Sequence, residues 1–133
     1  AAAALGVAVA YRLPPPQTVA ACLAPASSMT RLELLFGTAR KDGGELSETE
    51  WRAFLDAEVT PRFPDGLTVL TAYGQWRNSA DIIIKENTKV LIIWHPPGDA
   101  SDARVEAIRT AYKTRYGQES VMRVDGASCV SFQ

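Results

Sequence analysis

The stretch that decides the fold is LSETEWRAFLDAEVTPRFPDGLTVLTAYGQW, residues 46–76. Its first half has the pattern of a capped amphipathic helix. Ser47 can accept a hydrogen bond from the Glu50 backbone N–H while the Glu50 carboxylate accepts one from the Ser47 N–H, which is a capping box. Because Thr60 precedes a proline, it is biased away from helical geometry, and the helix is predicted to end or kink there. Apolar residues at helical spacing form the predicted core stripe of this helix: Trp51, Phe54, Leu55 and Val59.

The second half of the stretch predicts a turn followed by a strand. Phe63 is expected to plug the open end of the core, and Pro64–Asp65–Gly66 to form the turn. From Leu67 onward the side chains alternate between two faces. One face carries Leu67, Val69, Thr71, Tyr73 and Gln75, and the other carries Thr68, Leu70, Ala72, Gly74 and Trp76. This connection explains most of the segment, but it gives no structural role to Arg62, Gln75, Trp76 or Arg77.

The segments on either side supply further strands. TRLELLFGTAR, residues 30–40, alternates as a strand with one apolar face. ADIIIKENTKVLIIWHPP, residues 80–97, predicts more strand, a tight turn near Glu86–Asn87–Thr88, and a third strand. The run KVLIIWH is nearly continuous apolar sequence, which is typical of a strand covered on both faces or lying at an interface.

The C-terminal part predicts one helix and one strand. DASDARVEAIRTAYKTRYG, residues 99–117, is the second helix, capped by Asp99 or Ser101 and ended by Gly117 in a left-handed conformation. ESVMRVDGASCVSFQ, residues 119–133, is the last strand, with DGAS predicting a turn or bulge that interrupts it.

The order strand, helix, strand, strand, helix, strand predicts an α+β fold of the ferredoxin-like βαββαβ type. One antiparallel sheet would carry both helices on one face, with the first and last strands side by side. The residues expected to be buried together are Leu34, Trp51, Phe54, Leu55, Val69, Ile108 and Tyr112.

Length and charge limit the classes of function. The 133 residues fit one domain, and 14 basic against 15 acidic residues give no electrostatic reason to bind nucleic acid.

The apolar run AAAALGVAVA, residues 1–10, is too short to span a bilayer, which needs about 20 residues. Residues 1–29 are interpreted as a leader, either a flexible linker or the remnant of an export signal or membrane anchor. The folded domain is then expected over residues 30–133.

The two cysteines leave two interpretations open. VAAC, residues 19–22, weakly matches the small-residue pattern before a bacterial lipidation cysteine, so Cys22 could carry lipid while Cys129 is a buried free thiol. Alternatively, antiparallel first and last strands would bring Cys22 near Cys129, and an oxidising compartment would allow a disulfide between them.

Four segments together resemble a known family: LELLFG at 32–37, VTPRFPDGLTVLTAYGQW at 59–76, KVLIIWHP at 89–96 and YGQESVMRVD at 116–125. They are similar to a bacterial family of small exported proteins that is catalogued as a domain of unknown function. The resemblance covers residues 30–132, with Leu35 in place of the family's usual aromatic residue. It implies an exported protein of the periplasm or cell envelope, and it supplies no catalytic residue.

The sequence contains few residue patterns that could form a catalytic or metal site. His95 is the only histidine, and no acidic or thiol residue near it in sequence could complete a metal site, so no metal is expected. As a general base it would need a carboxylate from elsewhere, for which Glu33, Glu119 and Asp125 are the candidates. The sequence contains no nucleophile elbow, phosphate loop or CxxC motif, and no cofactor is expected.

The remaining candidate for a binding site is the face of the sheet away from the helices. There Glu33, Arg123 and His95 could meet residues of the second strand. The favoured hypothesis is a non-catalytic interaction module of the envelope that pairs through this face with itself or with an envelope partner, and touches a membrane only through an N-terminal anchor. The alternative is a small-molecule-binding protein or an enzyme of the dimeric α+β barrel type, with a site near Gln75, Trp76 and His95. The candidate ligand-binding residues are Arg62, Tyr73, Gln75, Trp76, Arg77, His95 and Glu119.

Overall fold

The structure is a computed structural model that describes residues 21–133. The first twenty residues of the expected leader, with the apolar run 1–10, lie outside the described part of the chain. The strands are β1 Ser27–Gly37, β2 Thr68–Arg77, β3 Ile83–His95 and β4 Met122–Val130. The helices are α1 Glu48–Phe54, which continues as a π-helical turn over Leu55–Val59, and α2 Asp99–Tyr116.

The four strands form one antiparallel sheet in the order β2-β3-β1-β4. The first and last strands are neighbours, as expected, and Leu34 of β1 lies opposite Leu91 of β3 and Arg123 of β4. Buried residues of α1 and α2 join those of the sheet in one apolar core, so both helices lie on the same face. The predicted α+β fold of the ferredoxin-like type is therefore confirmed.

An aromatic cluster lies at the centre of the core. The Phe36 ring lies 4.7 Å from the Tyr112 ring and 5.1 Å from the Trp51 ring, measured between centroids. All three side chains are at most 1% exposed. Tilted and edge-on contacts of this kind add about 0.5–1.5 kcal/mol per pair beyond the burial of apolar area. Of the other expected core residues, Leu34, Phe54 and Ile108 are fully buried, while Leu55 and Val69 pack against the core at its edge.

The helix caps agree only in part with the sequence patterns. The capping box of α1 is present, because the Ser47 hydroxyl accepts from the Glu50 N–H and the Glu50 carboxylate accepts from the Ser47 N–H. Helix α2 ends at Gly117 in the left-handed conformation, as expected. Its N-cap, however, is Gly98, so the predicted side-chain cap by Asp99 or Ser101 is wrong. The Ser101 hydroxyl instead donates to the carbonyl of the preceding loop at Pro96.

The turn predicted at Glu86–Asn87–Thr88 is also wrong, because β3 runs unbroken through it. The hairpin between β2 and β3 lies at residues 78–82, where the Asn78 side-chain oxygen accepts from the N–H groups of Ala80 and Ile82 at 3.0 Å. Asn78, and not Asn87, therefore provides the side-chain oxygen of this turn. Pairing with β2 along residues 86–88, and with β1 at Thr88, holds this segment in extended geometry.

The interruption predicted at DGAS does not occur, since β4 continues through residues 125–128. These residues pair with Met29 to Leu32 of β1, and that ladder outweighs the local turn preference. The same pairing extends β1 back to Ser27, which lies opposite Val130, so ordered strand begins three residues before the expected domain boundary. No helix within residues 21–133 is both long and apolar enough to cross a membrane.

The disulfide considered in the sequence analysis is present: Cys22 and Cys129 are bonded, with their Cα atoms 5.4 Å apart. The bond joins the segment before β1 to the far end of β4. It closes a loop with a sequence separation of 107 residues, which is nearly the whole domain.

Candidate functional site

The face of the sheet that carries no helix, hereafter the open face, has a row of small residues across three strands. Ala72 of β2, Thr88 of β3 and Gly37 of β1 lie opposite one another in register. One side of this row is flanked by an apolar row, and the other by Glu86 opposite Gly74. The apolar row consists of Leu70, Val90, Leu35 and Met122.

A cavity of about 360 Å³ lies over the small-residue row. Its floor depends on two glycines. A Cβ atom at Gly37 would overlap the Glu86 carboxyl group, and one at Gly74 would lie 2.5 Å from the Thr88 hydroxyl oxygen. The volume falls within the range of small-molecule sites, which is about 300–1,000 Å³. Glycine is therefore required at both positions if the Glu86 and Thr88 side chains are to lie flat on the sheet.

Glu86 is the acidic residue that lines this cavity, and it is only 3% exposed. One carboxyl oxygen accepts a hydrogen bond from the indole Nε1–H of Trp76 at 2.6 Å, and the other accepts from the backbone N–H of Ala39 at 2.6 Å. Carboxyl groups are almost never buried to this extent unless they are paired. Both donors hold the carboxyl group in one orientation at the wall of the cavity.

The face of the sheet that carries the two helices is hereafter the covered face. Contacts from this face hold the backbone at Gly37 and Ala39, next to Glu86. The Tyr112 hydroxyl of α2 donates to the Gly37 carbonyl at 2.6 Å, and the Gln118 side-chain amide donates to the Ala39 carbonyl at 2.7 Å. Burial raises the pKa of Tyr112 well above its ordinary value, with further contributions from nearby Tyr116 and Glu86, so this hydroxyl remains a donor. The backbone beneath the site is thereby fixed to α2 and to the loop that follows it.

A second cavity of about 300 Å³ adjoins the first and shares Trp76, Glu86 and Gln118 with it. Arg40 and Lys41 line its other side. The guanidinium of Arg40 donates to the Glu50 carboxylate and holds the pKa of Glu50 below its ordinary value. Trp76 and Glu86 thus stand between an apolar cavity and one with basic residues at its margin.

The predicted site residues fall into separate places. Tyr73, Gln75 and Trp76 line the 360 Å³ cavity. Glu119 lies at the margin of the 300 Å³ cavity, where its carboxylate accepts from the Ser79 hydroxyl at 2.7 Å. Arg77 lines neither cavity, and it forms an exposed ion pair with Asp81 at 3.4 Å.

His95 and Arg62 line a different cavity of about 480 Å³ at the other end of β3. His95 is nine residues beyond Glu86 on the same strand, which corresponds to about 30 Å at about 3.3 Å per residue. The structure therefore does not bring Trp76 and His95 together. The residues predicted to form one site, Gln75, Trp76 and His95, line two separate cavities.

The His95 ring is buried, and none of the three candidate carboxylates orients it. Its Nδ1 atom lies 2.8 Å from the Pro96 carbonyl oxygen, and its Nε2 atom has no partner within the described residues. Glu33 pairs with Arg31, and Asp125 pairs with Arg123. Glu119 lies at the opposite end of β3, bonded to the hairpin. Across residues 21–133 no cluster of three potential metal ligands forms.

Glu86, for which the sequence predicts a turn, is the residue of this cavity that sequence reasoning misses. The signal that could have identified it is the alternation of residues 84, 86, 88, 90 and 92 on one strand face. This places a glutamate between Ile84 and Thr88 on a face that is otherwise mostly apolar. Its contacts with Trp76, Ala39 and Gly37 join residues ten to 49 positions apart, and no local pattern reports such contacts.

Comparison with known proteins gives a fold neighbour and a family. No curated protein sequence matches this chain. The solved structure titled as a phage SAM lyase in complex with S-methyl-5'-thioadenosine is similar, with a TM-score of 0.61 at 12% identity over 79% of this chain and 92% of that chain. That likeness shows the fold alone. Residues 31–132 match a family described as protein of unknown function (DUF3574). Since the match covers most of the chain and agrees with the resemblance seen in the sequence, this protein belongs to the DUF3574 family.

Proposed function

We propose that this protein is a small-molecule-binding domain whose ligand lies on the open face of the sheet, over the small-residue row and against Glu86. The observation that carries the proposal is a carboxyl group only 3% exposed at the wall of a 360 Å³ cavity. Ligand sites combine apolar walls with a few fixed polar groups. Here Leu35, Val90 and Met122 supply the apolar walls, and Glu86 is the fixed polar group.

Two further observations support this function and its location. The phage SAM lyase with a similar fold binds S-methyl-5'-thioadenosine, so a ferredoxin-like domain of this kind can hold a nucleoside thioether; this support is by analogy of fold. The Cys22–Cys129 disulfide is typical of proteins in an oxidising compartment. We therefore propose that the domain binds its ligand in the periplasm or cell envelope.

A ligand-observed NMR screen tests the proposal, using a fragment library that contains nucleosides, S-methyl-5'-thioadenosine, amino acids and amines. We expect hits that bind the wild type and are lost in Ala72→Phe, because the phenyl ring would fill the cavity. Leu70→Phe is the matched control, since Leu70 lies on the same face of the same strand but does not line the cavity. An absence of hits, or hits that survive Ala72→Phe, would count against the proposal.

A second candidate function is pairing through the open face, and a separate observation favours it. Four large apolar side chains on this face are 37% to 59% exposed: Trp94, Val124, Leu70 and Met122. An apolar surface of this kind is typical of a protein–protein interface. We propose a homodimer as the partner arrangement, in which a second copy would also close the ligand cavity.

Light scattering over a dilution series tests the dimer. Self-association should give about twice the 14.4 kDa chain mass at micromolar concentration, and Leu70→Glu combined with Met122→Glu should return it to that of the monomer. A monomer at every concentration would reject the dimer and leave the ligand site to be tested alone.

A further inference from the structure

We propose that the ligand of the open-face site carries an organic cationic group, such as a substituted ammonium or sulfonium, received by Glu86 beside the Trp76 indole. This inference rests on the proposed function and narrows it to one class of ligand. It follows from the contacts that Glu86 makes and from the kind of contact that it lacks.

Among the described residues, 21–133, Glu86 has hydrogen-bond donors but no cationic partner. Its two oxygens accept from the Trp76 indole and the Ala39 backbone, both of which are uncharged donors. Within residues 21–133, no Lys, Arg or His nitrogen forms an ion pair with Glu86 at 4.0 Å or less. Removing a carboxylate from water costs several kcal/mol, and neutral hydrogen bonds offset only part of that cost. A ligand cation in the adjoining cavity would supply the missing opposite charge.

The walls of the cavity favour an organic cation over a metal ion. Mg²⁺ and Ca²⁺ require several oxygen ligands, and the described residues provide no second carboxyl group beside Glu86 in the 360 Å³ cavity. Leu35, Val90 and Met122 instead present apolar surface that suits alkyl substituents. The Trp76 ring lines the cavity with its N–H directed at Glu86, and a cation within about 6 Å of an indole face gains about 0.5–2 kcal/mol.

The anionic alternative is disfavoured at this position. A carboxylate or phosphate group placed beside Glu86 would be repelled by it at short range, because the Glu86 carboxyl group is itself buried and poorly screened by water. The basic residues Arg40 and Lys41 line the neighbouring 300 Å³ cavity, on the other side of Trp76 and Glu86. An anionic group on the same ligand would therefore lie in that second cavity and not in the first.

The test compares cations with neutral compounds of the same shape. Choline and 3,3-dimethylbutan-1-ol differ by nitrogen against carbon, and benzylammonium and benzyl alcohol form a second pair. The reporter is the indole N–H resonance of Trp76, assigned by its loss in Trp76→Phe. We expect at least one cation to shift this resonance and to bind about tenfold or more tightly than its neutral partner, a difference of about 1.4 kcal/mol.

Two charge-removing variants complete the test. Glu86→Gln should reduce the affinity for the cation to that for the neutral partner, while Glu119→Gln, which removes the same charge at the margin of the second cavity, should leave the preference intact. Equal binding of each cation and its neutral partner by the wild type would overturn the inference without use of any variant. So would a cation preference that survives Glu86→Gln, or the absence of any shift by both cations. Neutral hits from the fragment screen would in those cases still support the proposed function.

Discussion

Lys89 and Glu86 lie three residues apart on β3, on opposite faces of the sheet, and both are buried. On the covered face, the Lys89 ammonium donates to the Glu48 carboxylate at 2.6 Å and to the Thr71 hydroxyl at 2.9 Å. This interaction lowers the pKa of Glu48. On the open face, Glu86 has two neutral donors and no cation within the described residues. On the covered face the protein itself provides the charge opposite to Lys89. On the open face the cavity beside Glu86 leaves room for a positive charge carried by a ligand.

The largest expected difference between the faces is in packing. Leu34 is fully buried on the covered face, while its neighbour Leu35 points to the open face and is partly exposed. Leu34→Ala should lower the free energy of unfolding by about 3–5 kcal/mol, because a closed cavity is left behind. Leu35→Ala should cost about 1 kcal/mol, because less apolar area returns to water. Urea titrations of both variants measure the difference, and equal losses would mean that the open face is as tightly packed as the core.

The alternation that separates Leu34 from Leu35 could be read from the sequence, and so could the capping box and the order of the elements. These features depend on residues within a few positions of one another. The positions of the β2–β3 turn and of the N-cap of α2 could not be read. The Asn78 turn, the unbroken β3 and the unbroken β4 depend on pairing with strands distant in the sequence, and this pairing outweighs local turn signals.

The second largest expected effect on stability is that of the disulfide, which holds the segment before β1 to the end of β4 by a covalent bond. Replacing Cys22 and Cys129 together with serine should lower the free energy of unfolding by about 2–4 kcal/mol, because a loop of about a hundred residues is released in the unfolded chain. Denaturant titration measures the loss. The binding of any open-face ligand should persist, because neither cysteine lines the 360 Å³ cavity.

Intact mass of the protein from an oxidising compartment checks the bond itself. A mass two hydrogens below that of the reduced chain is expected. Two alkylatable thiols, or a lipid adduct on Cys22, would contradict the bond and restore the interpretation of Cys22 as a lipidation site.

The smallest expected effect concerns ion pairs on the two faces. On the covered face Arg123 forms ion pairs with Asp102, Glu106 and Asp125 at 2.8 to 2.9 Å, whereas on the open face Arg31 pairs with one carboxylate among the described residues, that of Glu33. Arg123→Met should cost about 1 kcal/mol at neutral pH, since the carboxylates are partly exposed. Arg31→Met should cost less than about 0.5 kcal/mol.

The pH dependence of the Arg123 effect follows from Glu106. Hydrogen bonds from Arg123, and then from Arg109, hold the pKa of Glu106 below its ordinary value of 4.5. A carboxyl group with a lowered folded-state pKa contributes stability above its ordinary pKa, and that contribution is lost as the pH falls through the lowered value. The difference between wild type and Arg123→Met should therefore shrink below pH 4.5. A difference that stays constant into acid would show that Arg123 acts by packing alone.

The candidate site was only partly accessible to sequence reasoning. Gln75 and Trp76 are candidates in the sequence because the helix-to-strand connection gives them no structural role, and Tyr73 is a candidate because of its place in the alternation of the second strand. Glu86 is not a candidate in the sequence, because the space for its carboxyl group results from the absence of a side chain at Gly37 on the neighbouring strand. The sequence predicts His95 as a site residue because it is the only histidine. The structure places it in another cavity, where its ring centroid lies 5.5 Å from that of Phe63.

Methyl NMR of the wild type, titrated with the tightest-binding compound of the fragment screen, shows directly whether the ligand binds the open face. Leu35 and Val90 line the cavity, and their neighbours Leu34 and Leu91 have side chains on the covered face. If the ligand lies on the open face, the methyl resonances of Leu35 and Val90 will move on titration while those of Leu34 and Leu91 stay in place. Equal movement of both pairs, or movement confined to Ile93 beside the His95 cavity, would contradict binding at the open face.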